Sequence, residues 1–150
     1  MSDDVAIVGI GMHPFGRHDG VTGMEQGAVA IRNACADAGV EWGDLQFAFG
    51  GSTAAGAADT IVSQMGLTGL QFINVVNGCA TGGSALISAY NTIRSGAFDL
   101  GIAIGFDKHE RGAFRIQSGK AGERDWYGGS GMALTTQFFA VSYTHLRAHE

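Results

Sequence analysis

Cys79 and the glycines around it are the residues of this chain best suited to chemistry. They lie in the run Phe72-Ile73-Asn74-Val75-Val76-Asn77-Gly78-Cys79-Ala80-Thr81-Gly82-Gly83-Ser84-Ala85-Leu86. The run reads as a short apolar strand, a two-residue turn and a helix that opens at the cysteine. Val75 and Val76 are β-branched, Leu86, Tyr90 and Ile93 recur at helical spacing, and Gly96 supplies the stop. A thiol on the first turn of a helix faces unpaired backbone N–H groups and the positive end of the helix dipole, and both favour thiolate. A thiolate is a nucleophile, and Gly78, Gly82 and Gly83 leave room for a substrate to approach it. Free cysteine is also among the most buried residue types, so placement alone leaves an inert, buried Cys79 as the competing reading.

The remaining chain reads as the scaffold for that stretch. Val5-Ala6-Ile7-Val8-Gly9-Ile10-Gly11 is a continuous apolar run, as in a strand buried on both faces of a parallel sheet. Gly9 and Gly11 do not begin a dinucleotide fingerprint, because Pro14 stands where the third glycine belongs. His13 and His18 are loop residues, and His13, near the strand end, is the better placed to touch a ligand. Thr22-Gly23-Met24-Glu25 fits a capping box; Met24, Ala28, Ile31, Cys35 and Ala38 then share one helical face, and Gly39 ends the helix. Cys35 is therefore a core residue. A second strand at 45–49 leads through Gly50-Gly51-Ser52 to a helix with Ala58, Ile61, Val62 and Met65 inward, ending at Gly66. The strand before Cys79 and its helix follow, and 99–106 is a fourth, largely apolar strand. The order βαβαβαβ predicts an α/β fold: a mainly parallel sheet with right-handed crossovers and helices on both faces. In such sheets chemistry gathers at the carboxyl ends of strands, where Cys79 falls.

From about residue 107 the pattern loosens into a loop region holding five of the nine basic residues, Lys108, Arg111, Arg115, Lys120 and Arg124. Interleaved with acids, they read as solvated surface rather than an anion site. Residues 132–140 begin a further helix, and 141–150 break its pattern. That tail resembles translated sequencing-adaptor sequence and is taken as foreign to the domain. Its His145 and His149, with Glu150 adjacent, do not make the H-E-x-x-H arrangement, and no metal site is expected.

Composition excludes several classes of function. Apolar residues make up 45% and charged residues 15%, which is globular, and the net charge of −5 with no basic stripe argues against nucleic acid. Two cysteines make no disulfide framework, and the first apolar run is too short for a signal peptide or membrane span, so a cytoplasmic setting with reduced thiols is expected.

With these residues in hand, 1–140 resembles the N-terminal part of the thiolase superfamily. The resemblance is carried by Val5-Ala6-Ile7-Val8-Gly9-Ile10-Gly11-Met12-His13-Pro14-Phe15-Gly16, by the block from Asn77 to Leu86, by Gly105-Phe106-Asp107-Lys108, and by Gly131-Met132-Ala133-Leu134-Thr135-Thr136-Gln137-Phe138-Phe139-Ala140. Together these look most like the sterol-carrier-protein-type thiolases and their lipid-transfer relatives, and less like ketoacyl synthases. The resemblance implies thiolysis or Claisen-type acyl transfer of acyl-CoA or 3-ketoacyl-CoA, with the coenzyme A thioester as substrate and no resident cofactor. Cys79 would match the nucleophile, and its backbone N–H one oxyanion donor. The family's histidine and second cysteine lie in its C-terminal half, so the chain is expected to be a truncated, inactive half of a homo-oligomeric enzyme. Two alternatives stand beside this: a thiolase-like aldol lyase for steroid side-chain CoA thioesters, a group that often lacks the cysteine, and a non-catalytic lipid-binding protein.

Overall fold

Thr22 and Glu25 close the expected capping box at the start of α1 (Gly23–Ala38) in the computed structural model, which describes residues 4–51 and 58–109. The Glu25 N–H donates to Thr22 Oγ1 at 3.2 Å and the Thr22 N–H to Glu25 Oε2 at 2.7 Å, so two otherwise orphaned donors of the first turn are satisfied. Gly39 ends the helix in the left-handed conformation, its N–H donating to the Ala36 and Cys35 carbonyls. Chain contacts define two compact units, Met1–Lys108 and His109–Glu150, and every element named here lies in the first.

Three strands form a parallel ladder: β1 (Phe47–Gly51), β2 (Gln71–Asn74) and β3 (Gly101–Gly105), in the order β2-β1-β3. β1 begins two residues later than its apolar run suggests, because Trp42–Asp44 first make a 3₁₀ turn in which the Glu41 N–H donates to Asp44 Oδ2 at 2.8 Å. Gln46 then ties the sheet across, its Oε1 accepting from the N–H groups of Asp99 at 2.7 Å and Leu100 at 3.1 Å. α2 (Val62–Met65) is the end of the expected second helix; Ala58–Ile61 before it is 3₁₀, and Ile61 is fully buried.

Alternation along the strands makes a core on each face of the sheet. On one face Ile104 joins Ile31 and Cys35 of α1 together with Trp42, Leu45, Ile61 and Phe106. On the other, Phe47 and Phe49 pack on Ala85 and Ala89 of α3 (Thr81–Arg94). The two aromatic rings fill that layer, so α3 turns its alanines inward. Leu86 and Tyr90, expected on the inner stripe, are 49% and 48% exposed. Large meets small across the ladder as well: Phe47 pairs with Gly101, where a Cβ would run into its ring.

Residues 5–11 depart from the expected buried strand. Among the described residues none pairs with them in a ladder, and Ile7 and Ile10 are 69% and 75% exposed. They run beside α1 instead: the Ile10 N–H donates to Asp37 Oδ2 at 2.9 Å, and Asn33 Nδ2 to the Met12 carbonyl at 3.2 Å. An apolar run does not by itself secure a ladder: among the described residues β3 is an edge strand paired with β1, and 5–11 do not pair with its open edge. An apolar cavity of about 540 Å³ is lined by residues 5–11, the facing sides of α1 and α3, and residues 99–105. The expected loop beyond residue 109, the helix at 132–140, the tail and Arg111, Arg115, Lys120 and Arg124 lie outside the described residues.

Candidate functional site

The chain leaves the sheet one residue after β2, where the Val75 N–H donates to the Gly50 carbonyl at 2.7 Å. Gly78 then takes φ +53°, a left-handed conformation that a side chain disfavours. Gly78–Ala80 form a 3₁₀ turn, closed by the Ala80 N–H donating to Asn77 O at 3.0 Å, and α3 begins only at Thr81. Cys79 thus sits in the turn that feeds α3 rather than on its first helical turn, because the left-handed glycine must be followed by a tightening before the α register starts. Its thiol is exposed, and it lies past the carboxyl end of β2, as the α/β pattern predicts.

The surroundings of Cys79 are open at the helix end and tied down beneath it. Among the described residues no side chain caps α3, and apart from the adjoining chain and the helix's own backbone nothing lies within 4 Å of where a Cβ would stand on Gly82 or Gly83. Among the described residues the Cys79 N–H has no acceptor. The turn itself is held by three side chains. The Asn77 N–H donates to Thr81 Oγ1 at 2.9 Å, the Thr81 hydroxyl donates to Gly78 O at 2.8 Å, and Asn77 Nδ2 donates to Ser84 Oγ at 2.9 Å. Sequence reasoning gave these residues no role. Their signal is a short polar side chain two positions to each side of the cysteine, the kind that bonds local backbone at helix starts.

The other candidates are used elsewhere. Cys35 is buried, and burial, with smaller contributions from Glu41 and Asp44, pushes its thiol above the ordinary range. His13 Nδ1 and His18 Nε2 lie 3.0 and 2.9 Å from the Pro14 carbonyl, with their rings edge to face at 4.5 Å. Lys108 is not a free surface cation: its ammonium donates to the His18 carbonyl at 2.6 Å and to that of Val21, fastening the 18–21 loop to the exit of β3. Among the described residues no cluster of three His, Cys, Asp or Glu could hold a metal ion, and no helix is long and apolar enough to cross a membrane.

Known proteins resemble this chain in both sequence and fold. Sterol carrier protein 2 of Oryctolagus cuniculus is 35% identical over 117 residues, covering 73% of this chain and 21% of the relative. Acetyl-CoA acetyltransferase of Methanothermobacter thermautotrophicus is 34% identical over 112 residues, 70% of this chain and 29% of the relative. Xanthomonas campestris OleA, solved with bound lauric acid and lauroyl-CoA, superposes with a TM-score of 0.50 at 16% identity, over 54% of this chain and 26% of that one. No protein-family model matches the chain. The class is therefore an α/β, thiolase-like one. Within it, this chain is a homologue of the N-terminal part of sterol carrier protein 2 and of acetyl-CoA acetyltransferase. It spans about a fifth to three tenths of the length of these curated relatives.

Proposed function

We propose that the full-length protein carrying this segment transfers acyl groups of coenzyme A thioesters through Cys79. The observation that carries the reading is the exposed Cys79 thiol in a tied turn, with a bare backbone N–H beside it and the uncapped end of α3 in front. In that reaction the thiolate attacks the carbonyl of an acyl-CoA or 3-ketoacyl-CoA. The oxyanion of the tetrahedral intermediate takes a hydrogen bond from the Cys79 N–H, and collapse expels coenzyme A or the acetyl-CoA carbanion, which leaves protonated. A second thiol or carbanion then attacks the acyl-enzyme, breaks its thioester and restores the thiolate. The acid and base for these proton transfers belong to chain outside the described residues.

Steady-state thiolysis of acetoacetyl-CoA by the full-length protein tests the assignment. Cys79→Ala should lower kcat by at least about 10³-fold, as loss of a covalent nucleophile does; an Ala variant with undiminished turnover contradicts it. The homology to an acetyl-CoA acetyltransferase supports the same reaction class. The reading includes a homo-oligomer, supported by β2, which has one strand neighbour among the described residues and a largely exposed face, and a cytoplasmic setting, supported by the two free thiols. The apolar cavity favours a second reading, a non-catalytic lipid-binding protein, because its volume of about 540 Å³ is in the range of small-molecule pockets. That reading predicts no acyl-enzyme at all.

A further inference from the structure

We infer that Thr81 is the positioning residue for Cys79, acting through the backbone of the turn rather than on substrate. This rests on the acyl-transfer reading above. One hydroxyl engages two successive residues at the entry of the turn: it accepts from the Asn77 N–H at 2.9 Å and donates to the Gly78 carbonyl at 2.8 Å. Those two groups lie two residues and one residue before Cys79, and Thr81 lies two residues after it, so the hydroxyl ties the turn together across the cysteine. The Thr81 N–H also closes on the Gly78 carbonyl, so this oxygen has two donors from one residue. Gly78 needs such a constraint, because a glycine held at φ +53° gives up more conformational freedom than any other residue would. A second tie, Asn77 Nδ2 to Ser84 Oγ at 2.9 Å, fixes the turn to α3 three residues beyond Thr81.

The consequence is chemical because Cys79 brings two groups to the reaction, its sulfur and its N–H. Both lie between Thr81 and the two residues, Asn77 and Gly78, that it holds. Without the hydroxyl the turn keeps its residues but loses its fixed path, and the N–H no longer aims at the point where the oxyanion forms. That penalty falls on the transition state more than on substrate binding.

The test uses the full-length protein and three variants, Thr81→Val, Thr81→Ala and Thr81→Ser. Single-turnover acylation by acetyl-CoA should slow by about 10- to 100-fold in the Val and Ala variants with KM little changed, the size of effect expected from a misplaced reacting group. Ser, which restores the hydroxyl, should recover most of the rate, and melting temperatures should not follow this order. A Val or Ala variant that acylates like the parent overturns the inference. So does loss of cooperative melting in both, which assigns Thr81 to the fold. If the unmodified protein forms no acyl-enzyme, the acyl-transfer reading fails on its own. Thr81 is then judged on the rate at which iodoacetamide alkylates Cys79: a rate altered by Val and restored by Ser sustains the positioning role, and equal rates end it.

Discussion

Cys35 lies under α1 among Trp42, Ile31 and Ile104, whereas Cys79 stands exposed where the chain turns into α3. Reactivity follows access and thiolate fraction, so the two thiols should separate cleanly. In the native protein iodoacetamide is expected to modify Cys79 and spare Cys35, with Cys35 reacting only after denaturation; peptide mass mapping reads the difference. Equal modification of both in the native state contradicts the burial described here. The burial of Cys35 was legible in sequence. Cys35 falls on a helical stripe of apolar residues, and a periodicity of that kind reports burial directly. The turn geometry at Cys79 was not legible, since it depends on Gly78 taking a left-handed conformation and on which hydroxyl reaches which carbonyl. Those are outcomes of the path from β2 to α3, and composition does not encode them.

At the scale of elements, α1 shows how far local chemistry reaches. Both of its ends follow from residues within four positions of the boundary, Thr22 with Glu25 and Gly39. Thr22→Ala should therefore cost about 1 kcal/mol of stability, the usual value of an N-cap, read as a lower denaturation midpoint. Hydrogen bonds from the Thr22 backbone and then its side chain, with Lys108 a lesser contributor, hold the Glu25 carboxyl below the ordinary carboxylate range. A depressed carboxyl contributes stability above its ordinary titration near pH 4.5 and loses it as pH falls through the lower folded value. Replacing Glu25 by Gln should flatten that acid limb and leave stability near neutrality less affected by pH; an unchanged acid limb contradicts the cap as its source. The strands were less legible than the helix. The 3₁₀ turn at Trp42–Asp44 delays β1, and residues 5–11, despite a strand-like apolar pattern, pair with no strand among the described residues. α3 was found but rotated, because the rings of Phe47 and Phe49 dictate which of its residues fit inside.

For the whole molecule, homology spans about a fifth to three tenths of the relatives, so the proposed activity is to be tested on the full-length protein. The described residues carry what the proposed acyl-transfer reading needs from this part of the chain: an exposed thiol, a backbone N–H without an acceptor among them, and a turn tied by side chains. They also expose apolar side chains, among them Ile87 at 62% on α3, and such surface is the usual mark of a face that other protein covers. The most direct measurement is the intact mass of the full-length protein after brief exposure to acetyl-CoA, compared with its Cys79→Ala variant. The account predicts one acetyl adduct on the unmodified protein, located by peptide mapping at Cys79, removed by hydroxylamine and absent from the variant. No adduct, or an adduct of equal yield in the variant, contradicts Cys79 as the nucleophile.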